Sequence, residues 1–199
     1  MENTQKIKEE LEHYAQKNPD IIMTRLKKGD LIPKSAGLAY EIDDPEIYKK
    51  LGDFPKGTIP YGPAHRALGQ SHWKTFDLFQ KEGVQRDGIK VLPFSRAVEL
   101  GLGQCLEKAV LIQLAAQNGA EGFLVSGALE QTDSPAGFHA FNIVFKNGEV
   151  RLLDAENPLR VDKDGKITHP YLAPVLNIND QGQFEVPQEW EQDRRYYLS

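Results

Sequence analysis

One segment limits the possible folds more than any other in this chain. From Cys105 onward the chain reads as a helix whose broad apolar face includes Leu106, Ala109, Val110, Leu114 and Ala115, with further apolar residues beside that face. A helix that is apolar over so much of its surface is normally buried in a core. The sequence therefore predicts a protein built around one central helix, which ends near Gly119.

Strand patterns follow this helix as far as residue 186, and the charged stretch EWEQDRRYYLS after them reads as a solvated C-terminal tail. Candidate strands lie at 121–128, 138–146, 149–155, 159–162, 166–169, 173–178 and 183–186. Turn signals separate several of them, namely Asn147-Gly148, Asp164-Gly165 and Gln181-Gly182. Helices first, then an antiparallel meander packed on a central helix, is an α+β plan.

The first half of the chain reads as short helices between loops. Apolar residues at helical spacing predict an amphipathic helix over about residues 4–17. Asn18-Pro19 is a start signal for a second helix, which Gly29 would end. Residues 54–70 are rich in proline and glycine and read as a loop. We therefore expect residues 1–70 to form a helical and loop portion packed on a main body of residues 71–199.

Composition excludes several classes of function. The net charge is −5 and the pI is about 5.6, so no basic surface is expected for nucleic acid. No apolar run approaches the length of a membrane span, and the first twenty residues contain no secretory signal pattern. The single cysteine excludes an intramolecular disulfide and fits a reducing compartment. We therefore expect a cytoplasmic protein. The five histidines show no metal-ligand spacing, so neither a metal nor a cofactor is expected.

The hairpin around Asn147-Gly148 carries a polar pair at the end of an apolar face. With a two-residue turn, Phe145 faces Val150, Ile143 faces Leu152 and Phe141 faces Asp154. Strand alternation then puts His139 on the same face as these residues, diagonal to Asp154. Because buried polar groups need partners, the register predicts that the imidazole and the carboxylate meet.

Cys105 opens the central helix directly after Gly101 and Gly103, which permit a tight turn. Unpaired backbone N–H groups and the positive end of the helix dipole favour a thiolate at such a position. The same N–H groups can donate to a developing oxyanion. A cysteine at a helix start and a His–Asp pair on a facing sheet supply a nucleophile, a base and a group that orients the base.

At these residues the sequence resembles the transglutaminase-like branch of the papain-like cysteine peptidase superfamily. The matching pieces are Gly103-Gln104-Cys105 opening a helix, His139-Ala140-Phe141 on a strand, and Leu153-Asp154 before Asn157-Pro158. They cover about residues 100–160. The resemblance implies a papain-like α+β core with Cys105 as nucleophile, His139 as base and Asp154 as the residue that orients the imidazole.

Three further residues are candidates for the oxyanion hole or the cleft. The family often uses an upstream tryptophan as an oxyanion donor, and Trp73 is the candidate for it, with simple core packing as the alternative. Gln104 either aims its amide at the oxyanion or caps the turn. Asn157 lies close enough to Asp154 to line the cleft, and the ordinary polarity of a loop explains it equally well.

The resemblance implies thiol-dependent acyl transfer on amide or peptide bonds through a Cys105 thioester. Transfer to water gives a cysteine protease, amidase or deamidase, and transfer to an amine gives a transglutaminase or another acyltransferase. The substrate would be a protein, a peptide or a small amide. Departures from the family pattern, Phe141 in place of an indole and Ala155-Glu156 in place of Pro-Thr, leave the substrate class open.

Other functions share some of these features. Arylamine acetyltransferases have the same Cys–His–Asp order, but this chain lacks the glycine-rich pattern that follows their aspartate. A non-catalytic domain binding a ligand in the same cleft has no need of all three groups in register. An exported effector acting on a host protein is a third alternative.

Overall fold

The structure is a computed structural model. It describes residues 2–18, 21–51, 72–131, 134–146 and 148–156, together with five short strands nearer the C-terminus. The helices of the described residues are α1 Glu2–Lys17, a 3-10 helix Ile47–Leu51, α2 His72–Glu82, α3 Phe94–Glu99 and α4 Cys105–Ala116. Within these ranges no helix is both long and apolar enough to cross a bilayer.

The strands fall into a group before α4 and a group after it. The first group is β1 Ile22–Met23, β2 Leu31–Ser35, β3 Leu38–Glu41, β4 Val84–Arg86 and β5 Ile89–Pro93. The second group is β6 Glu121–Gln131, β7 Ser134–Lys146, β8 Glu149–Leu153, β9 Arg160–Val161, β10 Ile167–Thr168, β11 Asn177–Ile178, β12 Phe184–Glu185 and β13 Arg194–Leu198.

The larger sheet is antiparallel and has five strands. β6, β7 and β8 form a meander, and the free edge of β6 is shared by β1 and β13. β1 pairs with Leu124 and Val125, whereas β13 pairs with the stretch from Gly127 to Gln131. The first and the last strand of the described residues therefore meet on one strand of this sheet.

This sheet lies between two helices because its strands alternate apolar residues toward both faces. One face packs Phe141, Ile143 and Leu152 against Ile7 and Leu11 of α1. The opposite face packs against α4, in a cluster that contains Ala140, Val144 and Leu153. Since α4 packs on the sheet here and on the smaller sheet elsewhere, it is the buried central helix that its composition predicted.

The smaller sheet has four strands in the order β2-β3-β5-β4. Its central pair, β3 and β5, is parallel, and its outer pairs are antiparallel. β2 and β3 come from the portion before residue 70, and β4 and β5 come from after it. Strands from both sides of the predicted boundary thus pair in one sheet.

The α+β prediction is confirmed, with an antiparallel sheet packed on the helix that begins at Cys105. The predicted helix over about 4–17 is confirmed as α1. The purely helical reading of the first half is wrong, because it contains the strands β1 to β5. In particular, Ile22–Met23 is a strand where a second helix was expected, because these two residues pair with β6.

Candidate active site

α4 begins in a tightly held turn. Gly101 adopts a φ of 65°, a conformation that favours glycine, and lets the chain reverse after α3. Gln104 is the N-cap residue of α4, and its backbone N–H donates to Glu107 Oε2 at 2.9 Å. This contact satisfies one of the backbone donors that a helix start leaves unpaired. Cys105 therefore occupies the first turn of a fixed helix start and is partly accessible.

Glu107 ties this first turn to the smaller sheet. Its carboxylate is fully buried and accepts from Lys34 Nζ and from the Tyr40 hydroxyl, both at 2.7 Å. Burial alone would raise the pKa of Glu107, but the Lys34 ammonium, aided by hydrogen bonds, lowers it below its ordinary value of 4.5. For the Tyr40 hydroxyl, burial and the neighbouring carboxylate raise the pKa. Glu107 is thus a buried anion that links α4 to β2 and β3.

His139 and Asp154 meet as the hairpin register predicts. The pairs Phe145 with Val150 and Ile143 with Leu152 are observed, and pairing ends one residue before Asp154. His139 Nε2 lies 2.9 Å from Asp154 Oδ2, and both residues are buried. The prediction of a His–Asp pair at the end of the apolar face is therefore confirmed in its geometry.

Two further donors hold the Asp154 carboxylate. The Tyr196 hydroxyl donates to Oδ2 at 2.8 Å, and the backbone N–H of Glu156 donates to Oδ1 at 3.0 Å. Both oxygens of this fully buried carboxylate are therefore engaged by hydrogen-bond donors, which is what a buried charge requires.

His139 also interacts with Cys105. Burial alone would lower the pKa of His139, but the hydrogen bond to Asp154, the interaction with Cys105 and the charges of both groups raise it to about 10. Because Nε2 faces Asp154, Nδ1 is the ring nitrogen left for the thiol. The structure thus brings together the three residues predicted as a triad.

A buried lysine connects the helix to the segment that carries Asp154. Lys108 Nζ lies 2.5 Å from Glu156 Oε2, and the Lys108 side chain is only 5% exposed. Glu156 is also the residue whose backbone N–H holds Asp154. An ion pair therefore joins helix α4 to Glu156, whose backbone in turn holds the Asp154 carboxylate.

The other predicted site residues have different outcomes. Gln104 lies directly before Cys105 as the N-cap. Trp73 is 78% exposed near the start of α2, so its alternative reading as a core residue is wrong. Asn157 lies outside the described residues.

Sequence reasoning missed Tyr196. The C-terminal stretch that contains it reads as a solvated tail, but β13 pairs with β6 and buries Tyr196 and Leu198. The signal available in the sequence was the alternation of Tyr196 and Leu198, which puts two apolar side chains on one face of a short strand.

The described residues hold no group of three or more histidine, cysteine, aspartate or glutamate side chains that would suit a metal ion. Models of known protein families and the curated proteins give no match to this chain.

Proposed function

We propose that this protein is a thiol-dependent acyl-transfer enzyme that acts on amide or peptide bonds, with Cys105 as nucleophile. One observation carries the proposal: the His139 imidazole binds Asp154 through Nε2 and interacts with Cys105 at the start of α4. A nucleophile, a base within reach and a third group that orients the base are the minimum that this chemistry needs. The resemblance to transglutaminase-like and papain-like enzymes rests on the same three residues.

In the proposed first step, the Cys105 thiolate attacks the carbonyl carbon of the amide and a C–S bond forms. The backbone N–H groups at the start of α4 donate to the oxyanion. His139, protonated on Nδ1, gives this proton to the leaving nitrogen as the C–N bond breaks. An amine leaves, and a thioester on Cys105 remains.

In the second step, water attacks the thioester and His139 takes a proton from it. The C–S bond breaks, a carboxylic acid leaves, and the thiolate–imidazolium pair is restored. Asp154 keeps its charge throughout and holds the imidazolium through Nε2. We favour water as the acceptor because it is always present; an amine acceptor would use the same thioester and the same residues.

The test uses the fact that Cys105 is the only cysteine. Alkylation by iodoacetamide therefore reports on one thiol, and its pH dependence reports on thiolate content. A cysteine with an ordinary pKa of about 8.5 is only about 0.3% thiolate at pH 6. We expect wild-type protein to react at pH 6 at least about tenfold faster than His139→Ala, because a neighbouring imidazolium favours a thiolate.

A matched control is His13→Ala, which removes an exposed histidine on α1. It should leave the alkylation profile unchanged. Equal profiles for wild type and His139→Ala would refute the proposed pair and favour a non-catalytic domain. Trapping of a Cys105 acyl adduct from peptide amides or thioesters, seen by mass spectrometry of the intact protein, is expected for wild type and not for Cys105→Ser.

A further inference from the structure

Tyr196 on β13 makes a buried contact that the proposed chemistry leaves unused. Its hydroxyl donates to Asp154 Oδ2 at 2.8 Å, and the residue is 8% exposed. Its ring packs edge-on against Phe141, with the centroids 5.1 Å apart, and lies 6.2 Å from the His139 ring. Ring packing on two sides fixes where the hydroxyl points.

This hydrogen bond restricts the orientation of the Asp154 carboxylate relative to the imidazole. His139 and Tyr196 both form hydrogen bonds with Oδ2, while the Glu156 N–H donates to Oδ1. With the tyrosine present, the carboxylate is held from two directions at the oxygen that binds Nε2. Without it, that oxygen would lose one donor, and the carboxylate plane would be freer to turn. Hydrogen bonds to a charged acceptor are stronger than neutral ones, so the difference is measurable.

The tyrosine also comes from a separate part of the fold. Asp154 follows β8, whereas β13 pairs with β6, where Tyr196 lies opposite Leu129. Between β13 and β8 lie β6 and β7, and β7 carries His139. The hydroxyl therefore joins β13 to the residue that follows β8, across the face on which the imidazole lies.

We propose that Tyr196 is a positioning residue, which acts through Asp154 to orient His139 toward Cys105. The proposal rests on the proposed function. It predicts that the last described strand supports the triad, so that the reactivity of the Cys105 thiol depends on the Tyr196 hydroxyl.

The test compares Tyr196→Phe with Tyr197→Phe. Both changes remove one tyrosine hydroxyl from β13, but that of Tyr197 donates to Glu130, 2.6 Å away. We expect Tyr196→Phe to lower the rate of Cys105 alkylation at pH 6 by about tenfold, on the scale of one hydrogen bond to a charged group, and to move the rise of the profile to higher pH. Tyr197→Phe should keep the wild-type profile.

A purely structural role would lower the urea midpoint of unfolding without moving the pH at which alkylation rises. A wild-type profile in Tyr196→Phe would therefore overturn the proposal, and so would a loss of the circular dichroism spectrum of the folded protein. A second comparison is made in an Asp154→Ala background. There, Tyr196→Phe should change the alkylation rate by less than about twofold, because the group through which it acts is absent.

The outcomes separate this proposal from the proposed function. If His139→Ala leaves alkylation unchanged, the thiol–imidazole pair itself fails. If His139→Ala slows alkylation at pH 6 but Tyr196→Phe does not, only the positioning role of Tyr196 fails.

Discussion

Lys34→Met provides the sharpest test of how the start of α4 is held. In the native protein the Lys34 ammonium lies 2.7 Å from the Glu107 carboxylate, and the exposed fractions of the two side chains are 6% and 0%. Methionine keeps most of the volume and the apolar stem of lysine, but removes the charge. Glu107 would then be a buried carboxylate without its cationic partner.

The magnitude follows from two estimates. At an effective dielectric constant of about 20, unit charges 2.7 Å apart attract by about 6 kcal/mol. The loss does not reach that value, because Glu107 can take up a proton instead. Protonating a carboxyl group of pKa 4.5 at pH 7 costs about 3.4 kcal/mol. We therefore expect Lys34→Met to lower the free energy of unfolding by about 3 to 5 kcal/mol, as for other buried pairs that lose one partner.

The effect should depend on pH in a defined direction. In wild type the pKa of Glu107 is lowered, so its contribution to stability is present above pH 4.5 and is lost as the pH falls through the lower folded pKa. In Lys34→Met, burial favours the protonated acid, and this protein loses less on acidification. The difference between the two proteins should be largest near pH 7 and shrink toward pH 4.

Urea unfolding followed by circular dichroism, at pH 4, 5, 6 and 7, measures this difference. Lys6→Met is the control, because Lys6 makes a 3.7 Å pair with Glu10 on α1 and its side chain is 65% exposed. It should cost less than about 0.5 kcal/mol. A loss below about 1 kcal/mol in Lys34→Met, or one that is constant from pH 4 to 7, would refute the reasoning.

Two other changes test the sheet and the imidazole. Gly127→Ala would put a Cβ only 2.1 Å from the backbone oxygen of Tyr197, so the free energy of unfolding measured with urea should fall by about 2 to 3 kcal/mol. In Gly137→Ala the added Cβ meets open space, so the free energy of unfolding should change by less than about 0.5 kcal/mol. In Cys105→Ser, we expect the hydrogen bond and the charge of Asp154 to keep the pKa of His139 above the ordinary 6.5, so that its contribution is full below pH 6.5 and is lost as the pH rises through the folded pKa. The free energy of unfolding should fall by up to about 1.4 kcal/mol per pH unit in that range, and Cys105→Ser/His139→Ala should lack this slope.

The hairpin and the central helix could be predicted because their signals are local. The Asn147-Gly148 pattern predicts a two-residue turn and with it the register of two adjoining strands, and the alternation of side chains then determines which residues share a face. This was enough to bring His139 and Asp154 together, since they are only 15 residues apart in one hairpin. The apolar composition of residues 105–116 identified the buried helix for a similar reason.

The strands of the first half gave no comparable signal. β1 has two residues and exists only through its pairing with β6, about 100 positions later in the chain. β3 and β5 form a parallel pair whose partners are 52 residues apart, such as Leu38 with Lys90. When a strand forms because of such distant partners, the local periodicity of the sequence gives only a weak signal for it. Tertiary pairing then determines its secondary structure.

The need of buried polar groups for hydrogen-bond partners indicates contacts that periodicity does not reveal. A carboxylate at the end of an apolar face needs more donors than one imidazole, because it offers about four acceptor sites. The hairpin and the segment after it supply His139 Nε2 and the Glu156 N–H. Tyr196 of β13 adds a donor from a more distant part of the chain. Counting the donors that a buried site residue requires can therefore indicate a missing partner before its strand can be recognised. Here the count leads from Asp154 to the tyrosine on which the orientation of His139 is proposed to depend.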